Sequence, residues 1–168
     1  MYETAEDLLE LTELLDRSYA RAGAHLRSIF TPERRHSADE LVALLPGVQV
    51  LNLATVSRAC SPRVAPVDGL FYRGRFWFGS AAASVRFTHL RERPQVSATH
   101  TRGEELAVIV HGTAALIDTG DPAHAGFADY YREVYSFGWD AWDIPVQFAR
   151  IDASHFYTYR PVSDNGAA

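Results

Sequence analysis

The sequence predicts a mainly β domain with added helices: six strands, mostly joined as hairpins, in an antiparallel sheet that curls into a barrel. Three observations carry this. From Val48 onward apolar residues recur with the two-residue period of strands. Arg73-Gly74 and Arg102-Gly103 are turn signals set between β-branched and aromatic runs. The length of 168 residues fits one domain, and 47% hydrophobic against 22% charged residues is a globular balance.

Two helical stretches precede the strands. Residues 4–29 read as one long helix, with Leu8, Leu11, Leu15 and Tyr19 at three- and four-residue spacing and Leu9 and Leu14 widening the face. Thr4 with Asp7 is a capping signal, and Pro32 closes the stretch. Ser37-Ala38-Asp39-Glu40 is a second capping box, opening a short helix that Pro46-Gly47 ends. Strands follow over Val48–Ser57, Arg63–Tyr72 and Arg75–Ser80. A helix over Ser84–Arg93 stops at Pro94. Two more strands run over Gln95–Thr101 and Glu104–Ile117. Asp121-Pro122 opens a helix reaching about Tyr135, with Asp as N-cap and Pro in the first turn. Gln147–Tyr159 is the last strand. This divides the chain into an N-terminal helical extension (1–36), a barrel domain (37–162) and a disordered tail (163–168).

Composition excludes several chemistries. The net charge is −5, a poor fit to a nucleic-acid backbone. All 16 basic residues are Arg. Without lysine there is no Schiff base and no phosphate-binding Walker lysine. Any anion is therefore held by Arg, hydroxyls and backbone N–H groups. One cysteine, Cys60, allows neither an intramolecular disulfide nor a cysteine-based zinc cluster. No run approaches the ~18 apolar residues of a membrane helix, and an acidic amphipathic start is unlike a signal peptide. A cytoplasmic protein with no membrane or nucleic-acid partner is the expectation. No Gly-x-Gly-x-x-Gly follows a strand, which disfavours a Rossmann site.

The informative stretch is Arg63–Asp118. The strand Arg63-Val64-Ala65-Pro66-Val67-Asp68 carries Pro66, with Pro62 just ahead. Proline cannot donate to a ladder, so this strand belongs at an edge or bulge, where free backbone groups can read a planar heterocycle. Phe78-Gly79-Ser80 ends the next strand in a Gly-Ser turn. Ser84, Val85 and Arg86 then open a helix. Its N–H groups, with Ser80, Ser84 and Arg86, form an anion site; equally, Ser84 can simply cap the helix while Arg86 faces water.

These motifs occur in an order that resembles the FMN-binding split-barrel superfamily. That group includes pyridoxamine 5'-phosphate oxidase-like proteins and the flavin/deazaflavin oxidoreductases of actinobacteria, a source the Arg bias also fits. The matching order is Pro62-x-x-x-Pro66-Val67, a hairpin, Gly79-Ser80, a helix, Leu90-x-x-x-Pro94-x-Val96 and Val110-x-Gly112-x-Ala114. It covers about residues 41–118, more loosely through the final strand. The resemblance implies a Greek-key-like, six-stranded split β-barrel forming a homodimer, with FMN in a groove between subunits. Hydride or electrons would pass to or from a small-molecule substrate. Ala65, Pro66, Val67 and Asp68 would line the flavin ring through their backbone. Phe78, Gly79 and Ser80 would lie near the ribityl chain, and Ser84, Val85 and Arg86 at the phosphate, with Arg63 a further contact. Arg86 stands where many relatives have Lys, and Cys60 where a turn Gly is usual. The extra basic residues of true pyridoxamine phosphate oxidases have no counterpart here. Alternatives are the deazaflavin coenzyme F-420 as hydride carrier, or a non-catalytic flavin- or haem-binding protein.

No catalytic residue can be named from the sequence. The histidines, with His100 and His111 on neighbouring strands and His25, His36, His89, His124 and His155 scattered, lack metal-ligand spacing, so no metal site is expected. Trp139 and Trp142, in the Gly-hinged run 137–143, either pack as buried aromatics or sit on a loop that crosses to the other subunit and stacks on the flavin or walls the substrate pocket; the second is the expectation. Tyr130, Tyr131 and Tyr135 are read as core or interface.

Overall fold

The computed structural model describes residues 2–162; the expected disordered tail lies outside the described residues. The chain folds as α1 (Ala5–Arg21), α2 (Ala24–Ile29), α3 (Ala38–Leu44), β1 (Val48–Val56), β2 (Pro62–Tyr72), β3 (Arg75–Ala81), α4 (Val85–Glu92), β4 (Gln95–Arg102), β5 (Leu106–Ile117), α5 (Ala125–Tyr135) and β6 (Val146–Tyr159). The six strands close into an antiparallel barrel in the order β1-β2-β3-β6-β5-β4. No helix among the described residues is long and apolar enough to cross a membrane.

Local signals set most boundaries. Both capping boxes form: Thr4 and Asp7 bond reciprocally at α1, and Ser37 and Glu40 at α3. Arg73 and Gly74 take φ of 51° and 71°, so the β2–β3 hairpin turns with both central residues left-handed, as the strand twist requires. Cys60 also sits at φ 58°. It therefore adopts the backbone conformation a glycine would, in a turn closed by its N–H donating to the Ser57 carbonyl at 2.9 Å.

Three expectations need correction. Residues 4–29 are two helices, because Ala22 and Gly23 take extended backbone angles and the apolar stripe turns a corner there. The Gly79-Ser80 turn is strand, since β3 runs on to Ala81, paired with β6 as far as Val146. The stretch from Asp121 begins as a 3-10 turn over Pro122–His124 before α5.

Neighbouring strands part in several places: β1 and β4 pair only over Asn52–Ala54 and Ser97–Thr99, and two further seams flank β3. β2 pairs with β1 along Pro62–Leu70 but with β3 only over Gly69–Tyr72. Arg63–Asp68 therefore has β1 on one side and, among the described residues, no strand on the other, which is why prolines are tolerated there. The second seam lies beyond Arg150, where β6 leaves β3. Helix α1 fills it: Ser18 Oγ accepts from Phe156 N–H at 2.9 Å, and Tyr19 Oη accepts from Thr158 N–H at 2.9 Å. Two side chains thus replace the missing strand's carbonyls.

Leu11, Leu15, Tyr19 and Phe30 belong to the same buried cluster as Leu51, Leu53, Phe78 and Phe156. The N-terminal helices are part of the barrel core. A second cluster lies outside the barrel wall, where Phe127, Tyr130 and Tyr131 of α5 pack on Leu70, Trp77 and Phe148. Phe127 stacks on Trp77 with ring centroids 4.2 Å apart.

Candidate functional site

The open seam between β2 and β3 widens into a cleft of about 470 Å³, within the ~300–1,000 Å³ range of small-molecule sites. Pro66, Val67 and Asp68 form one wall, and Phe78, Gly79, Ser80 and Ala81 the opposite one. Its floor is apolar, with Leu70, Trp77 and Phe148, and α5 with the loop after it closes the remaining side through Tyr131, Tyr135, Trp142 and Ile144. A Cβ at Gly79 would run into the Phe148 ring, so the glycine lets that ring lie flat against the β3 backbone.

Two charged side chains line the cleft, and β2 fixes their order. Arg86 Nη2 donates to the Pro66 carbonyl at 2.9 Å. Two residues further along, Asp68 Oδ2 accepts from Tyr135 Oη at 3.2 Å. At ~3.3 Å per strand residue, the guanidinium end and the carboxylate end are separated by about 7 Å of strand. Arg86 forms no ion pair among the described residues, and burial pulls its pKa below the ordinary guanidinium value. Tyr135 is pushed well above a normal phenol, first by burial and then by the Asp68 carboxylate. Burial also raises Tyr131, whose oxygen accepts from Trp142 Nε1 at 3.0 Å.

The turn beside Arg86 is pinned. Ala82 N–H donates to the Pro145 carbonyl, Ser84 N–H to Ala81, and Arg91 Nη2 to Ala82, each at 2.9 Å. Ser84 caps α4, its hydroxyl accepting from Phe87 N–H.

Of the residues expected at the site, Pro66, Val67, Asp68, Phe78, Gly79, Ser80, Arg86 and Trp142 line this one cleft. Arg63 and Ala65 are exposed on the unpaired part of β2, outside the cleft wall. Val85 faces solvent at 68% exposure, and Ser84 is occupied by its helix. Trp139 packs on Phe148 and Tyr131, behind the lining rather than in it. Sequence reasoning missed Tyr131 and Tyr135 as lining residues. Their four-residue spacing on α5 was the available signal, since it puts both on one helix face. Among the described residues no group of three or more His, Cys, Asp or Glu side chains is placed to hold a metal ion.

Comparison with known proteins fixes the family. The pyridoxamine 5'-phosphate oxidase family model matches residues 37–160. The chain belongs to the pyridoxamine 5'-phosphate oxidase family. Solved structures of this fold resemble it at low identity. A conserved hypothetical protein of Mycobacterium tuberculosis superposes with a TM-score of 0.64 at 16% identity, covering 82% of this chain and 96% of that one. A FAD-binding protein of Mesorhizobium loti gives 0.59 at 21% identity, with 77% and 98% covered. An F-420 reductase gives 0.51 at 16% identity, with 68% and 93% covered. No curated protein matches the chain significantly.

Proposed function

We propose that this family member is a flavin-type oxidoreductase that binds FMN in the cleft between β2 and β3 and passes hydride or electrons to or from a small organic substrate. The observation that carries this reading is Arg86. A half-enclosed guanidinium with no carboxylate partner among the described residues stands at one end of a flat apolar slot. Desolvating a cation is costly unless an anion offsets it, and a phosphate supplies that anion with bidentate geometry.

The slot fits a ring system. The unpaired backbone of Pro66–Asp68 offers carbonyls and N–H groups to a ring edge, while Phe78 and Phe148 supply apolar surface. Ser80 and the first N–H groups of α4 stand beside Arg86 for the phosphate. The flavin would bring the redox chemistry, and the chain would bind, orient and exclude water. Deazaflavin coenzyme F-420 is the alternative occupant, favoured by a fold neighbour described as an F-420 reductase.

The cleft is open along the unpaired side of β2. On the paired β1–β2 face beside it, Val48 and Val50 of β1 and Val64 of β2 are exposed at 41%, 53% and 67%. Exposed apolar side chains on this β1–β2 face favour cover by a second copy, so the chain pairs as a homodimer with this face inside.

The test is titration of the purified protein with FMN and with F-420, followed by reduction. Arg86→Ala removes charge-assisted hydrogen bonds worth about 1.5–3 kcal/mol, so FMN affinity falls about 10- to 150-fold. Unchanged affinity in that variant overturns the phosphate assignment. Flavin that binds but is never reduced by any donor makes the protein a carrier.

A further inference from the structure

The far end of the cleft from Arg86 differs from it chemically. Tyr131, Tyr135, Phe137 and Trp142 form a contiguous group of rings: Tyr131 and Tyr135 lie 4.5 Å apart, Tyr135 and Phe137 5.9 Å, and Phe137 and Trp142 6.0 Å. Their polar atoms are already committed. The Tyr135 hydroxyl donates to Asp68, and the Trp142 indole N–H donates to Tyr131. What remains for a ligand is ring surface. Phe137 and Trp142 are 41% and 48% exposed, far from the burial of an ordinary core aromatic.

Carboxylates outnumber cations at this end: Arg132 Nη2 reaches the loop beside Gly138 and Asp140 but already pairs with Asp129 at 3.1 Å. Asp68 is the carboxylate of the cleft lining, and among the described residues it forms no ion pair. The loop over residues 136–145 that carries Phe137 and Trp142 adds Asp140 and Asp143 and holds no basic residue. Both of these aspartates are exposed. The nearest cation of the lining, Arg86, is about two strand residues away along β2 and is turned to Pro66. Ring faces carry partial negative charge and attract cations, more strongly once water is displaced. A carboxylate beside them adds a direct counter-charge. A phosphorylated or carboxylated substrate would meet net repulsion from these carboxylates.

We infer that the aromatic end of the cleft is the substrate seat and that it takes an organic cation, an amine or quaternary ammonium on a flat apolar body, with Asp68 as its counter-charge. This rests on the reading that the flavin lies at the Arg86 end, which leaves the rings of α5 and its loop to the second molecule. Asp68 and Trp142 are here specificity-determining residues, each touching the ligand. The unused Asp68 oxygen meets the positive charge, and the Trp142 face covers it.

The probes are phenyltrimethylammonium, its uncharged isostere tert-butylbenzene, and phenylphosphonate. Each is titrated by calorimetry into the full-length protein, first flavin-free and then saturated with FMN. The cation should bind both forms and exceed the isostere and the anion by about tenfold or more. Asp68→Asn, a change of equal size at an exposed position, should abolish that preference while leaving the isostere's affinity in place. Trp142→Ala should weaken the cation as well. Equal binding of cation and isostere, a preference for phenylphosphonate, or an unchanged preference in Asp68→Asn overturns the assignment. Loss of the cation on FMN saturation overturns it too, since one seat would then be serving both. Failure of wild-type protein to bind FMN is read separately and strikes the flavin reading, while the flavin-free titration still reports on the cation.

Discussion

Ser18 and Tyr19 offer a direct measure of how far a helix can stand in for a strand. Both residues are buried, at 0% and 5% exposure, and each accepts one backbone N–H of β6, from Phe156 and Thr158. Ser18→Ala removes one acceptor and leaves the Phe156 N–H enclosed without a partner. Tyr19→Phe does the same to Thr158 while keeping the ring that packs on Tyr157. A buried donor left unpaired costs about 1–3 kcal/mol, so the pair together costs about 2–6 kcal/mol. That is a large share of a stability that is typically 5–15 kcal/mol. Thr12→Ala is the internal control: its hydroxyl donates to the Leu8 carbonyl on the exposed side of the same helix, and its loss should change stability by less than about 0.5 kcal/mol. The assay is urea unfolding followed by tryptophan fluorescence and by circular dichroism, with equal slopes required across the variants. If Ser18→Ala and Tyr19→Phe behave like Thr12→Ala, those N–H groups are satisfied elsewhere and α1 does not complete the barrel.

Three other outcomes follow from the structure. Gly79→Ala drives a methyl into the Phe148 ring; overpacking of that kind costs about 1–3 kcal/mol, and a thermal melt should fall while FMN affinity drops with the displaced wall. Cys60→Gly relieves a left-handed backbone at φ 58° and, net of glycine's greater unfolded entropy, should raise stability by about 0.5–1 kcal/mol in the same urea assay. The enclosed imidazole of His36 has no hydrogen-bond partner on either nitrogen, and burial holds its pKa below the usual value. Above about pH 6.5 both states are neutral there and stability is complete. As pH falls below that, the unfolded chain takes up the proton first and stability declines. His36→Asn should flatten this slope between about pH 7 and 5, leaving the part from His111, whose pKa burial also lowers.

Where a feature depended on neighbours in the chain, the sequence was readable. The capping boxes at Thr4 and Ser37, the left-handed pair Arg73-Gly74 and the helix stop before Pro94 are short-range chemistry, and each stands within a residue or two of its expected place. The prolines of β2 also announced a strand lacking a partner on one side. What escaped was decided at long range. The bend at Ala22–Gly23 exists because α1 follows the β6 seam, whereas α2 turns off to place Phe30 against Tyr157 and Tyr159. Nothing in the local stripe of leucines encodes that corner. Tyr131 and Tyr135 were legible as an apolar helix face but not as a cleft wall, because only the packing of Phe127 on Trp77 sets which way α5 is rolled. Trp139 and Trp142 are three residues apart and alike in composition, yet one stacks inward and the other faces the cleft.

The seam between α1 and β6 also has a consequence in time. Ser18 and Tyr19 meet partners 138 and 139 residues further along the chain. At roughly 5–20 residues per second of synthesis, the helix waits about seven to twenty-eight seconds for the strand it will lie against. Through that interval Leu11 can meet the β2–β3 hairpin beside Gly74, but Leu11 and Leu15 lack Ile151, Phe156 and Tyr157 of β6, which complete their buried cluster. Closure is therefore a single late event joining the two most distant elements, the kind of non-local step that makes β topologies slow to fold. A nascent chain halted before β6 would offer chaperones a ready-made amphipathic helix, and loss of Ile151–Tyr159 would release the first element of the fold together with the last.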